Sequence, residues 1–528
     1  MESIKTSLLL LCLLLHFSWV TAQPDVKKVD PPQVNQFAPI LQFLASPELE
    51  GREPGARGGI LAADYIASMM QRMDLKPYKQ SVCREERKLS DYFQTFALPR
   101  YTVDVASVSI NPVEKDLKQL LLIPGKSFTL ENSISDLSLE SAMVFAGYGI
   151  NSPALKYNDY ANLKVKGKLV VMLDGYPGQH DTLSSAWEKF RTFAETDSYN
   201  LSMKCREAAR QGAAAVMVVN KNCLQSDNDS VYLANTENPE ESSTPEVFHS
   251  LPGAFKIPVA TCFLLTETGS AQVAAALQVN FRSIEKTLAQ QLSFAPIVSK
   301  NIFKIALETT LDTLSVHNIL GILPGLDTTQ TLIIGAHYDH LGKHDHLIYY
   351  GSDDNASGVA GLLALAENWT DSHLVPPCNI LFASWTAEEK GLIGSEYFAE
   401  NLSSPEKVKL YINMDMISRS VVEDTTRRQL SIGTRASDKY IRDLAQKTNA
   451  TINPPFILDL WDVTGHSGSD YASFTAKNIP IMTYNTGLHN DYHTPRDIPA
   501  NADLVKMGDV LKLVNGSLQE ILQNVIGK

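Results

Sequence analysis

Five short segments in the second half of the chain end in residues that can hold a cation. They are His337-Tyr338-Asp339-His340, Gly351-Ser352-Asp353-Asp354-Asn355, the pair Glu388-Glu389, Asp415, and His489 followed by Asp491-Tyr492-His493. The set mixes imidazole with carboxylate and holds no thiolate. Such donors suit zinc in a catalytic site, where coordination positions stay open for water and substrate. Two imidazoles and three carboxylates exceed the needs of one tetrahedral catalytic ion. They match two ions about 3.5–4 Å apart sharing a bridging carboxylate, an arrangement found in hydrolases. Adjacent Glu388 and Glu389 fit the same scheme, because consecutive residues in an extended loop point in different directions. One can hold metal while its neighbour faces the attacking water as general base.

The elements that must position these residues alternate in type. Buried-strand runs at Thr331–Ala336, Asn379–Trp385, Lys409–Met414 and Ile479–Tyr484 are interleaved with helical patterns. The helices are expected at Ser357–Asn368, Leu392–Asn401, Ser437–Asn449 and Ala502–Ile526. Alternation of this kind predicts an α/β fold, a mostly parallel central sheet flanked by helices on both faces. In such sheets ligands bind at the carboxyl ends of the strands, where all five segments fall. Earlier, Phe37, Ile40, Leu41 and Leu44 share one helical face, and a second helix runs from about Gly58 to Met73. The turn-rich link Leu49-Glu50-Gly51-Arg52-Glu53-Pro54-Gly55 joins them. From about Asp116 to Val279 the texture changes to short apolar runs broken by Gly, Pro and Asn, which reads as a β-rich insert.

Composition narrows the class. The 528 residues are 44% hydrophobic and 20% charged, the make-up of a folded protein of several domains. The net charge of −13, without a local basic patch, argues against nucleic acid or an anionic membrane face as partner. The first residues resemble a secretory signal: Lys5, an apolar run from Leu8 to Leu15, and small residues up to Ala22. That run is too short to span a bilayer, which takes roughly 20 residues. Cleavage after Ala22 and an exported, soluble product, periplasmic or extracellular, are therefore expected. Five cysteines remain (Cys83, Cys205, Cys223, Cys262 and Cys378), an odd number and widely spaced, so no disulfide framework or Cys-type zinc site is implied. A Cys205–Cys223 bond stays open, as does glycosylation at Asn200, Asn368 and Asn449.

Gly335-Ala336-His337-Tyr338-Asp339-His340, Asp353-Asp354-Asn355-Ala356-Ser357-Gly358, Thr386-Ala387-Glu388-Glu389, Asn413-Met414-Asp415-Met416 and Asp491-Tyr492-His493-Thr494 together resemble the M28 family of co-catalytic zinc aminopeptidases. All five occur in family order, and the likeness runs from about Ser315 to the end. Leu49–Leu75 resembles the N-terminal helices of exported members. The middle, with Phe145-Ala146-Gly147-Tyr148-Gly149, resembles a protease-associated domain. The resemblance implies a zinc-exopeptidase fold; after the expected signal at residues 1–22, residues 32–115 would be the first part of the peptidase domain, 116–290 the insert and 291–528 the catalytic domain. It also implies two Zn2+ ions and peptide substrates with a free N-terminus; it leaves the oligomeric state open.

Residue by residue, the resemblance implies that His337 and Asp415 hold one ion, His493 and Glu389 the other, and that Asp354 bridges them. Glu388 would take the proton of the bridging water and pass it to the leaving amine. Asp339 would steady His337, and Tyr492 would hydrogen-bond the oxyanion. His340, His344, His346 and His489 are expected as exposed loop residues or substrate contacts rather than metal ligands. Relatives carry Ser-Asp-His where this chain has Ser469-Asp470-Tyr471, which leaves the segment around His466 without an assigned role. Asp353 would shape its loop or support the bridge, Arg419 would meet an acid or a substrate carboxylate, and Trp461, Met482 and Tyr484 would line the substrate pocket. Three other readings share the fold. Glutaminyl-cyclase-like enzymes lose the first His, which is intact here as His337. Glutamate-carboxypeptidase-like enzymes add a large helical domain, whereas 35 residues follow His493 (528 − 493). Receptor-like relatives have lost their ligands.

Overall fold

The computed structural model describes residues 28–78, 88–113, 118–132, 135–194, 201–220, 246–249, 260–344, 346–463 and 468–526. The expected signal, Cys83, Cys223 and His466 lie outside them. Helices α1 (Val34–Leu44) and α2 (Arg57–Arg72) open the fold. The strands follow as β1 (Phe93–Asn111), β2 (Phe128–Asn132), β3 (Leu137–Phe145), β4 (Leu169–Leu173), β5 (Ala215–Val219), β6 (Thr261–Leu265) and β7 (Ile297–Leu323). Then come β8 (Asp327–His337), α3 (Gly358–Asp371), β9 (Cys378–Trp385), α4 (Ile393–Glu400) and β10 (Val408–Met414). The chain continues through β11 (Gln429–Thr434), α5 (Lys439–Asn449), β12 (Ile457–Asp462), β13 (Ile481–Asn485) and α6 (Leu504–Ile521).

One sheet runs in the order β12-β11-β13-β10-β8-β9-β7-β3-β4-β5-β6-β2. Strands β9, β8, β10 and β13 are mutually parallel. β9 is buried at every position, as a parallel strand covered on both faces must be. Alternate residues of β8 serve two cores. Leu332, Ile334 and Ala336 face α1, α2, α3 and α6, while Ile333 faces Leu381, Trp385, Tyr411 and Phe398. The stripe Phe37, Ile40, Leu41 and Leu44 of α1 is buried in the first of these, each side chain contributing about 1.5–3 kcal/mol of apolar burial.

The 27-residue β7 ties the two halves together. Its first part pairs with β3, its last five residues pair with β9, and β1 runs antiparallel along most of it. Sequence reading placed no strand over either β1 or β7. Beyond β7, Phe145, Val171, Met217, Phe263 and Phe303 form a separate core built on the parallel strands β3 to β6. The final helix is α-helical to Ile521, with a wider turn continuing to Ile526. Among the described residues no helix is long and apolar enough to cross a membrane. Cys205 is free and buried, and Asn449 is buried with both amide atoms bonded to the Phe456 backbone.

Candidate metal centre

The parallel strands deliver their terminal residues to one edge. His337 ends β8, Asp415 follows β10 directly, and Glu388-Glu389 lie just beyond β9. Asp354 sits in the tight turn before α3, and His493 in the loop after β13, with φ +54°. His337 Nε2 is 3.3 Å from an oxygen of Asp354 and 3.3 Å from one of Asp415. His493 Nε2 is 3.1 Å from the other Asp354 oxygen and 3.2 Å from Glu389. Asp354 thus turns one oxygen to each imidazole.

A buried hydrogen-bond framework fixes this arrangement. Asp497, fully buried, accepts from the backbone N–H groups of Asp353 and Asp354. Asn355 donates to the Met414 carbonyl and accepts from the N–H groups of Gly358 and Met416, locking the Asp354 turn to the end of β10. The Asp353 carboxylate accepts from the N–H and hydroxyl of Ser418. Asp339 presents its backbone carbonyl, 3.2 Å away, to His337 Nδ1, while its carboxylate accepts from the N–H groups of Glu388 and Glu389. It therefore braces the loop of the two glutamates as well as the imidazole. On the opposite side a relay runs from Trp385 Nε1 to the Tyr411 hydroxyl, to Asn413, to Ser469 and on to Asp415. Gly335 leaves room for it: a Cβ there would stand 2.5 Å from Trp385 Nε1.

The electrostatics follow from packing so many carboxylates around two imidazoles. Burial alone disfavours a charged His337, yet Glu388 and Asp415 lift it well above the ordinary imidazole value. His493, also opposed by burial, is raised to about 10 by its contacts with Asp354 and Glu389. Despite burial, Asp354 is held well below the usual carboxylate range by contacts with His337 and His493. Burial pushes Glu388 well up, against the pull of His337 and with the help of Asp470 and Asp415. Asp470, wholly buried, is pushed up to about 7 by the same cause.

The donors fit a cation on direct geometric grounds. Two groups, His337-Asp354-Asp415 and His340-Asp354-Glu389-His493, have all their ligand atoms within 4.8 Å of one another and share Asp354. His493 Nε2 is buried against two carboxylate oxygens without a well-directed hydrogen bond, the situation of a ligand atom aimed at an ion.

All five residues expected to bind metal thus converge, with Asp339 behind them and Tyr492 stacked on His493 at 3.8 Å between ring centroids. Several other expectations need correction. His344 and His346 are exposed, but His340 and His489 are buried, because both loops fold inward over the carboxylates. His340 Nδ1 meets Glu389 at 2.7 Å, and His489 Nε2 lies 3.5 Å from Asp353. Arg419 meets a neighbouring acid, one of its two expected roles, through a pair with Asp491 at 2.9 Å. Met482 and Tyr484 point into the main core rather than toward a pocket, as their places on β13 require. Ser469, in the segment left without a role, holds Asp415. The only sequence signal for His340 was its spacing, three residues after His337.

Comparison with known proteins bears on this region. The family model for Peptidase family M28 matches residues 318–516. Leupeptin-inactivating enzyme 1 of Streptomyces exfoliatus is 37% identical over 172 residues, 31% of this chain and 34% of that protein. Leucine aminopeptidase 2 of Trichophyton equinum is 29% identical over 206 residues, 38% and 36% of the two chains. The chain spans about a third of the length of these curated relatives. In fold it is similar to an aminopeptidase from Aneurinibacillus sp. strain AM-1, with TM-score 0.54 and 19% identity over 93% of this chain and 94% of that one. A zinc aminopeptidase of Bacillus subtilis gives TM-score 0.51 and 16% identity, covering 94% and 97%. The matched segment 318–516 contains every residue of the cluster.

Proposed function

We propose that the protein is an exported dinuclear zinc aminopeptidase that removes N-terminal residues from peptides. The observation that carries this reading is the placement of Asp354, with one oxygen toward His337 and Asp415 and the other toward His493 and Glu389. His337 and Asp415 would hold one ion, His493 and Glu389 the other, with Asp354 common to both. When bound, the two ions supply Lewis acidity toward the scissile carbonyl and the attacking water. Glu388 takes the proton of that water and delivers it to the nitrogen of the departing amine. Burial and neighbouring acids raise its proton affinity, which suits a group that must hold a proton between the two transfers. Asp339 keeps the Glu388-Glu389 loop in register with β8 through two backbone N–H groups. The Tyr492 hydroxyl would donate to the carbonyl oxygen as negative charge develops there.

The expected N-terminal signal supports the export part of the reading, and the similarity to leucine aminopeptidase 2 of Trichophyton equinum supports the exopeptidase part. The test is a panel of aminoacyl-p-nitroanilides with N-blocked counterparts, run with zinc and after chelation. Free-amine substrates should be cleaved only with metal present. Equal cleavage of blocked substrates would exclude the exopeptidase reading.

A further inference from the structure

Arg52 lies far outside the matched segment, in the turn between α1 and α2, yet it is fully buried beneath the metal centre. Its guanidinium donates to four backbone carbonyls. Nε donates to Tyr338 at 2.7 Å, Nη1 to Leu44 at 2.5 Å and Tyr350 at 2.7 Å, and Nη2 to Gly351 at 2.8 Å. Tyr338 sits between His337 and Asp339, and Gly351 opens the turn that carries Asp354. The backbone of the same turn grips the next stretch of loop. The Arg52 and Gly51 carbonyls accept from the N–H groups of His340 and Gly342, and Glu53 lies 3.5 Å from Lys390, beside Glu389. Gly51 has φ +74°, and a Cβ there would stand 2.3 Å from the Gly342 carbonyl oxygen, so the turn is wedged tightly between the loops.

A buried guanidinium bonded only to carbonyls is costly to desolvate, and a fold keeps one where several loops must be held at once. The charges of Asp354, Asp339, Asp497 and Glu389, all of the metal centre, act on Arg52 and favour its charged form against burial. We propose that Arg52 is a positioning residue of that centre, holding the His337–His340 loop and the Gly351–Asp354 turn at the spacing that lets Asp354 face both imidazoles. The inference rests on the zinc reading above and adds to it a part for the N-terminal segment. A planar fork reaching three directions does this; a lysine ammonium keeps the charge but cannot span the same carbonyls.

The test uses metal-free wild-type protein, Arg52→Lys and Arg52→Gln, each titrated with zinc against a chromophoric chelator, with thermal midpoints recorded before and after zinc. Wild type should take two ions. Both variants should lose roughly 10- to 100-fold in affinity for at least one, the range for residues that orient ligands, and should gain less thermal midpoint on adding zinc. A purely structural arginine would lower the metal-free midpoint and leave zinc affinity alone, which overturns the proposal. Wild-type affinity in Arg52→Lys beside a weakened Arg52→Gln also overturns it, because charge rather than the fork would then be at work. Hydrogen exchange on the wild type covers the case of variants that do not fold. The His340 and Gly342 amides should be protected already without zinc, and protection appearing only with zinc overturns the proposal. Wild type that binds no zinc would sink the zinc reading itself, an outcome distinct from unchanged variants.

Discussion

His340 Nδ1 lies 2.7 Å from Oε1 of Glu389, with both side chains buried. The contact leaves the second Glu389 oxygen facing His493, at 3.2 Å. Gly351 makes room for the ring, since a Cβ there would stand 2.4 Å from the imidazole. Replacing His340 with Ala should free Glu389 to rotate and weaken zinc binding roughly 10- to 100-fold. Chelator competition on the purified variant measures this, and affinity equal to wild type would show that Glu389 orients itself.

Glu388 and Asp354 should fail in different ways. Glu388→Gln should retain two zinc ions while kcat falls about 10²- to 10⁴-fold, the worth of a positioned acid–base group. Asp354→Ala should lower the zinc content at both positions, because its carboxylate is common to both groups. Metal analysis beside steady-state kinetics separates the two. Loss of zinc from Glu388→Gln would reassign that residue as a ligand.

Zinc affinity should rise with pH. The metal-free site holds protons tightly on His337, raised well above its usual value, and on His493, raised to about 10. An ion must displace those protons, so binding releases them and strengthens as pH climbs from 6 toward 9. Calorimetry in buffers of different ionisation enthalpy counts the protons. A pH-independent affinity would contradict the arrangement.

Away from the centre, Lys506 and Asp424 form a buried pair at 3.3 Å, and Asp424 also accepts from Thr426, Arg428 and Gln429. Although burial opposes it, these bonds hold the Asp424 pKa well below its ordinary value. A carboxylate with a depressed folded pKa stabilises above its unfolded value, near 4, and loses that contribution as pH falls through the folded value. Asp424→Asn should therefore cost about 3–5 kcal/mol at pH 7, as when one partner of a buried pair is removed, and progressively less below pH 4. Urea unfolding of both proteins at pH 7 and at pH 3 tests the sign.

The parallel part of the fold was readable from the chain because its signals are local. The apolar run before His337 and the four residues after Gly351 carry their strand and turn character in their own neighbours. The long strands β1 and β7 were not readable. Their alternation pays off only across an antiparallel pairing between segments some 200 residues apart (304 − 109 at the Ser109–Lys304 pair). Met482 and Tyr484 were misplaced for a related reason. Which face of β13 they occupy depends on its register with β10, which a strand read alone does not contain.

By itself the sequence determined the ligand types, their order and the strand ends that carry them, since these depend on side-chain chemistry and short-range hydrophobic pattern. Three things came from the tertiary structure alone: His340 stands behind Glu389, Ser469 stands behind Asp415, and Arg52 reaches beneath them all. Each of those is a contact between loops distant in the chain. Its existence rests on how α1, α2 and the sheet pack together, and no local spacing encodes that distance.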